Sequence, residues 1–270
     1  MERGTVGIAG LGLIGASVGQ GLMSGFASRV IGYDPSGSAL VDAKECVHET
    51  VSSLSAFHDC ELVVVAAPPL AVPGLLRELE SVICEGCTVT DVTSVKQSVA
   101  EAVPESMLNR FVPGHPMAGH ESTGSKYARA DLFHGAKWVV CPPGDVDADA
   151  LDLVLCMVRH LRALPVVLTP EEHDRHVAVL SHLPHVFASA LLIESAELSR
   201  TDIAGGSWRD LTRVGGSNPE LWADILLANR AAVIESLDSS GSILEQYKSA
   251  VASGDRDALV ALFEKAKEVK

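Results

Sequence analysis

The chain of 270 residues is poor in aromatic side chains, 4% of the total, and short of cations, with 21 Lys and Arg against 35 Asp and Glu. The resulting net charge of −14 excludes a surface built to grip a nucleic-acid backbone or an anionic membrane, because both partners are polyanions. An anionic ligand would need a site that reverses the sign locally. No apolar run approaches the roughly 18 residues of a bilayer-crossing helix. The opening MERGTVGIAG has no basic segment ahead of a long apolar stretch, so a secretory signal is not expected either. Six cysteines in a chain of this length do not make a disulfide scaffold. Cys84 and Cys87 form a CxxC between a helix and a strand, but a second ligand pair is missing, and no metal is expected. These absences together read as a cytoplasmic protein.

What is present is Ala, Val and Leu, within a hydrophobic fraction of 47% that suits helices and buried parallel strands. Up to about residue 167, short runs (TVGIAG, RVIGYD, ELVVVAAP, TVTDV, RFVPG, KWVVCP, LPVVLT) alternate with amphipathic segments at 13–25, 36–46, 70–82 and 94–103. Val-rich runs bounded by Gly, Pro and Asp read as buried strands, and their alternation with helices predicts a mostly parallel sheet covered on both faces. After Thr169 the strand signals stop. Thr169-Pro170-Glu171-Glu172 has a cap, a first-position proline and first-turn acids, and predicts a long helix to about Leu198, kinked at Pro184. Asn218-Pro219-Glu220 starts another helix to about Leu237, and patterns at 241–252 and 256–267 finish the chain. The expected fold class is α/β, a Rossmann-type sheet domain over 1–167 followed by an all-helical domain over 168–270.

Residues 6–15 read VGIAGLGLIG, in which Gly10, Gly12 and Gly15 fit G-x-G-x-x-G. The pattern closes an apolar strand and opens a helix, the context a dinucleotide site needs. Gly10 serves the tight turn, Gly12 the approach of a pyrophosphate, and Gly15 close packing of helix on sheet. Leu13 and Ile14 begin the helix whose free N–H groups meet the phosphates. Asp34 ends the second strand 19 residues after Gly15, where a carboxylate accepts from a ribose diol and repels a 2′-phosphate. The cofactor expected is therefore NAD. Ala67 and Pro68 end the next strand over the same crevice. The run Thr90–Lys96 ends another, with its hydroxyls and lysine facing the crevice or with Lys96 solvated.

The stretch GHPMAGHESTG, residues 114–124, follows RFVPG and so leaves the carboxyl edge of a strand. A histidine there can take a proton from an alcohol while hydride leaves the same carbon, and its ordinary pKa near 6.5 suits that role. Pro116 holds His115 to extended backbone. On pattern alone His115 is either this base or a loop histidine. Arg209 and Arg213 share a helix face, which costs repulsion that Asp210 partly offsets and an anionic ligand would repay; the alternative is an exposed arginine face. His173, His176, His182 and His185 recur at three-residue spacing without a convincing further ligand, and read as pocket lining rather than a metal site.

The motifs GLGLIGAS, DVTSVK, GHPMAGHESTG, SHLPH and WRDLTRVGGSNPELW, in this order, resemble the TyrA family of prephenate, arogenate and cyclohexadienyl dehydrogenases over nearly the whole length. Thr93, where the family often has Gly, and Trp208, where it often has Phe, are small departures. The resemblance implies NAD-dependent oxidative decarboxylation of prephenate to 4-hydroxyphenylpyruvate in tyrosine biosynthesis, or the corresponding reaction of arogenate, of both, or of 4-amino-4-deoxyprephenate. It implies that His115 polarises the C4 hydroxyl, that Ser94 orients His115 beside the nicotinamide, and that Arg213 binds the ring carboxylate. It places Glu121, Arg209 and Asp210 at the gate or lining, and His173, Ser181, His185 and Trp222 towards the substrate side chain. It also implies a homodimer through the helical domain. Two rivals share the architecture: a β-hydroxyacid dehydrogenase, which needs a catalytic lysine that 170–240 does not offer, and a pyrroline carboxylate reductase. A non-catalytic NAD-binding regulator is a third, and it leaves Ser94, His115 and Arg213 together without a purpose.

Overall fold

The structure, a computed structural model, describes residues 3–119 and 123–269. Its first part is an open sheet of six parallel strands: β1 (Arg3–Ala9), β2 (Ala27–Tyr33), β3 (Glu49–Val51), β4 (Leu62–Val65), β5 (Thr88–Asp91) and β6 (Phe111–Val112). Helices α1 (Leu13–Leu22), α2 (Gly37–Asp42), α3 (Val72–Glu80) and α4 (Gln97–Ala100) make the connections. The spatial order β3-β2-β1-β4-β5-β6 reverses direction between β1 and β4, and ligands bind in such a sheet outside the strand carboxyl ends at this switch point.

Successive strand residues face opposite sides, which is why the Val runs are apolar throughout. Val6, Ile8, Leu62 and Val64 join one core with Leu22 of α1 and with Val154, Met157 and Val158 of α5 (Ala148–His160). Ala9, Val63, Val65 and Val89 join the other with Leu76 and Leu79 of α3. Ile225 belongs to this second core, so the helical half docks on the sheet through apolar contact.

The strand runs of the sequence are all strands, but not of one sheet. Gly114–Pro116 is itself a short strand, β7, antiparallel to β8 (Lys137–Val140), which pairs in parallel with β9 (Leu164–Val167). His115 thus stands on a strand opposite Val139, not in a loop. The last strand ends at Val167, and from Pro170 onward every described element is helical: α6 (Pro170–Val177), α7 (Leu183–Ser195), α8 (Gly206–Thr212), α9 (Pro219–Ala228), α10 (Arg230–Ser253) and α11 (Arg256–Val269).

Thr169 forms the full capping box with Glu172. Where the kink at Pro184 is expected, the helix widens into a π-helical turn, Ala178–His182, that leads directly into α7. This turn absorbs the hydrogen bond that a proline cannot donate. The continuous stretch Pro170–Ser195 is, by length and composition alone, apolar enough to cross a membrane, but its first two turns bury His173 and Asp174 inside this fold. The helix expected to reach Leu237 ends at Ala228. Asn229 breaks it with φ −107° and ψ 32°, its side chain drawn inward, and α10 then runs unbroken through 237–241.

Candidate active site

The glycine loop between β1 and α1 lies at the switch point. Gly10 has φ +110°, and a Cβ there would sit 2.4 Å from the Ala66 carbonyl oxygen. A Cβ on Gly15 would lie 1.9 Å from the Gly10 oxygen. A Cβ on Gly12 would meet nothing within 4 Å; this exposed glycine leaves the loop open where a pyrophosphate would approach the start of α1. No side chain caps α1, so Leu13 and Ile14 open a helix whose N-terminal N–H groups are not taken by a cap. Asp34 accepts from the Leu11 N–H (2.9 Å) and the Ser36 N–H (2.9 Å). A carboxylate has about four acceptor sites, so two remain for a ribose diol. Ala67, half-buried, and Pro68, exposed, follow β4 on the same edge. The loop, the helix start and Asp34 fit a dinucleotide.

His115 is 9% exposed and is held from behind by an ion pair. Asp91 and Lys96 are both wholly buried and bonded to each other. The two clasp the preceding residue from both sides: Asp91 Oδ1 accepts from the Gly114 N–H (3.1 Å), and Lys96 Nζ donates to the Gly114 carbonyl (2.6 Å). Thr93, the departure noted above, donates its N–H (3.0 Å) and its hydroxyl to Asp91 and accepts from Lys96 (3.1 Å). Lys96 therefore neither faces the crevice nor is solvated, contrary to both readings of the sequence. The clasp needs a cation at that depth to compensate Asp91.

The ring of His115 contacts the helical half. Its Nδ1 lies 2.8 Å from His173 Nε2, and His173 Nδ1 lies 2.7 Å from Asp174 Oδ1. Asp174 also accepts from the Lys96 N–H (2.8 Å) and the Gln97 N–H (2.9 Å), tying α6 to the start of α4. Burial first, then the neighbouring His173, Lys96 and His182, holds the His115 pKa well below 6.5. The ring is neutral at physiological pH, with its proton-accepting range lower than the sequence suggested. Among the described residues Ser94 makes no hydrogen bond to His115, whose Nδ1 goes to His173; Ser94 is half-buried between β5 and α4. His173, expected against the substrate, is wholly buried with both ring nitrogens bonded within the protein, so it stands behind His115.

His182 is also wholly buried and is held down to about pKa 4, chiefly by burial. Its Nδ1 lies 3.2 Å from the Asn229 amide, which also donates to the Asp174 carbonyl (2.8 Å). Its Nε2 has no hydrogen-bond partner among the described residues. Trp222 stands edge-on to His182, with centroids 6.0 Å apart, and stacks on His185 at 3.5 Å and 23°. His185 donates from Nδ1 to the Ser181 carbonyl (2.9 Å). Its pKa is lowered by burial, with the Arg213 guanidinium adding to the effect. The structure thus gathers His115, His173, Ser181, His185, Trp222 and Arg213 through successive neighbours. Arg209 and Asp210 lie exposed on α8, without side-chain partners among the described residues; the offsetting Asp210–Arg213 pair is not made. Glu121 lies outside the described residues.

Sequence reasoning gave no role to Asp91, Asp174 or Asn229. Asp91 ends an apolar strand five residues before a lysine, a usable signal. Asp174 sits in an ordinary acidic helix start and Asn229 in a helical pattern, and neither carries one. Among the described residues no three His, Cys, Asp or Glu side chains are placed to hold a metal ion.

The nucleotide-binding domain model of prephenate dehydrogenase matches residues 22–167, and the dimerization domain model matches 169–265. Prephenate dehydrogenase of Bacillus subtilis is 30% identical over 99% of this chain and 76% of its own length. Cyclohexadienyl dehydrogenase of Zymomonas mobilis is 30% identical over 98% and 94%. Among solved structures, Aquifex aeolicus prephenate dehydrogenase in complex with hydroxyphenyl propionate and NAD+ superposes with a TM-score of 0.89, 30% identity and coverage of 100% and 96%. Arogenate dehydrogenase of Synechocystis superposes at 0.82, with 30% identity and 98% of each chain. A pyrroline carboxylate reductase of Plasmodium falciparum, 14% identical at a TM-score of 0.51, shares the fold alone. The chain belongs to the TyrA family, as an NAD-linked dehydrogenase acting on prephenate- or arogenate-type substrates.

Proposed function

We propose that this chain converts prephenate to 4-hydroxyphenylpyruvate and CO₂, with residues 1–167 holding NAD and 168–270 completing the substrate site and pairing two copies. The single observation carrying this reading is His115: buried, neutral, at the carboxyl edge of the sheet, with Nδ1 engaged and Nε2 left to act. Gly10, Gly12, Leu13, Ile14, Gly15, Asp34, Ala67, Pro68 and Ser94 line the cofactor crevice. The bound NAD supplies a hydride acceptor for C4 of the substrate. His115 takes the C4 hydroxyl proton as that carbon becomes a carbonyl, then returns it to the phenol oxygen after the ring carboxylate has left as CO₂. A positioned base of this kind contributes ~10²–10⁴-fold. Arg213 binds the ring carboxylate, supplying the local positive charge that an acidic protein needs there. His185 and Trp222 flank the side chain, while Arg209 and Asp210 edge the entrance.

The helical half exposes Leu180, Ile193, Leu198, Ile203, Leu227 and Leu244, apolar side chains whose number supports a homodimer through this region. Six unpaired cysteines suit the reducing cytoplasm. One observation favours arogenate as a second reading. The neutral His185 ring, donating from Nδ1 to Ser181, keeps Nε2 as an acceptor that suits an ammonium group. Measuring kcat/KM for prephenate and arogenate side by side, each with NAD and NADP, tests both. Prephenate with NAD is expected to lead. Turnover of arogenate alone would select the second reading, and turnover of neither would sink both.

A further inference from the structure

We propose that His173 and Asp174 are positioning residues that decide which ring nitrogen of His115 is free to act. This rests on His115 being the base. The direction of every hydrogen bond follows from Asp174. A carboxylate only accepts, and two backbone N–H groups, of Lys96 and Gln97, pin its oxygens in place. His173 Nδ1, 2.7 Å from Oδ1, must therefore carry a proton and donate it. With a single N–H on its ring, His173 presents a lone pair at Nε2; this one-proton state is part of the proposal. His115 Nδ1, 2.8 Å away, must then be the donor to it. The ring centroids lie 5.0 Å apart with the planes at 73°; that separation fits an in-line N–H···N bond, about which the rings are free to twist. What is left to His115 is a lone pair on Nε2, the nitrogen pointing away from the relay. The other charged or titratable groups acting on this ring, Lys96 and His182, make no hydrogen bond to it.

No proton need pass along the chain for this to matter. Without it the His115 proton is shared between the two nitrogens, and the Nε2–H form cannot accept from the substrate hydroxyl. The relay also crosses between the two halves of the molecule. His115 stands on β7 and its partners on α6, so the base acquires its working tautomer only when the helical half is docked.

The test reads the tautomer directly. Nitrogen-15 correlation spectra of histidine-labelled protein, with His115 assigned by comparison with His115→Asn, should show the neutral native ring protonated on Nδ1. Detection of a predominantly Nε2–H ring in the native protein overturns the proposal before any variant is made. His173→Phe should move the ring towards Nε2–H and lower kcat by ~10²–10³-fold, less than the ~10⁴-fold known for losing a directly bonded orienting carboxylate. NAD affinity should hold, since neither His173 nor Asp174 is among the groups assigned to the cofactor. His173→Gln, whose amide oxygen can accept where Nε2 did, should restore the Nδ1–H form and bring kcat to within about tenfold of the parent. Normal kcat in His173→Phe, or no rescue by His173→Gln over His173→Phe, overturns the proposal. Activity in His115→Asn would instead remove the base reading on which it stands.

Discussion

Lys96→Met is the most informative change outside the catalytic groups, because it removes a charge that only the folded structure reveals as buried. Lys96 and Asp91 are both 0% exposed. The change breaks their ion pair and two further hydrogen bonds, to Thr93 Oγ1 (3.1 Å) and the Gly114 carbonyl (2.6 Å). Removing one partner of a buried pair costs about 3–5 kcal/mol, because the other charge stays behind uncompensated. Asp91 keeps donors from Thr93 and Gly114, which places the expectation near the lower figure. For a cooperative unit of this size, ~3 kcal/mol lowers Tm by roughly 10 °C. The double variant Asp91→Asn/Lys96→Met leaves no buried charge and should recover at least ~1 kcal/mol of that loss, a coupling that a double-mutant cycle resolves. Lys96 also helps hold the His115 pKa down, so the acid limb of kcat/KM should move to higher pH in Lys96→Met. Thermal and urea unfolding with pH–rate profiles make the measurement. A Lys96→Met protein melting within about 2 °C of the parent would refute the buried clasp.

Two buried neutral histidines make stability depend on pH in a defined window. Unfolded histidines titrate near 6.5, whereas burial holds His182 down to about 4 and His115 well below its ordinary value. Between these limits the unfolded chain binds more protons, so stability falls as pH drops from about 6.5 towards 4 and is unaffected by these groups above 6.5. His182 alone accounts for a loss on the order of 3 kcal/mol at the acid end. Urea midpoints that stay level across that window would contradict the assignment. Arg213→Gln should chiefly raise KM for the substrate while NAD affinity is kept, and an unchanged KM would remove Arg213 from the carboxylate role.

Much of this was legible in the residues because local signals and tertiary demands agree. The Val runs announce strands buried on both faces, the three glycines stand where a turn, an approach and a close packing are needed, and Thr169 with Glu172 announces a helix start. The departures arise where a distant partner decides. His115 reads as a loop residue because Gly and Pro crowd around it, yet β8, more than twenty residues on, supplies the strand that pairs with it. Lys96 reads as a helix-start lysine because nothing nearby in the sequence says that Asp91 and Gly114 close over it. Asn229 looks helical until its side chain is seen turned inward onto Asp174 and His182. His173 reads as a substrate contact by resemblance, and only the contact between α6 and β7 shows its ring engaged by His115 and Asp174.

The most direct test of the central claim is turnover by His115→Asn, with NAD affinity measured on the same protein. Asparagine keeps the size and polarity of the site but cannot accept a proton at neutral pH. The account predicts a kcat lowered by at least ~10²-fold with NAD affinity preserved. Normal turnover would contradict it.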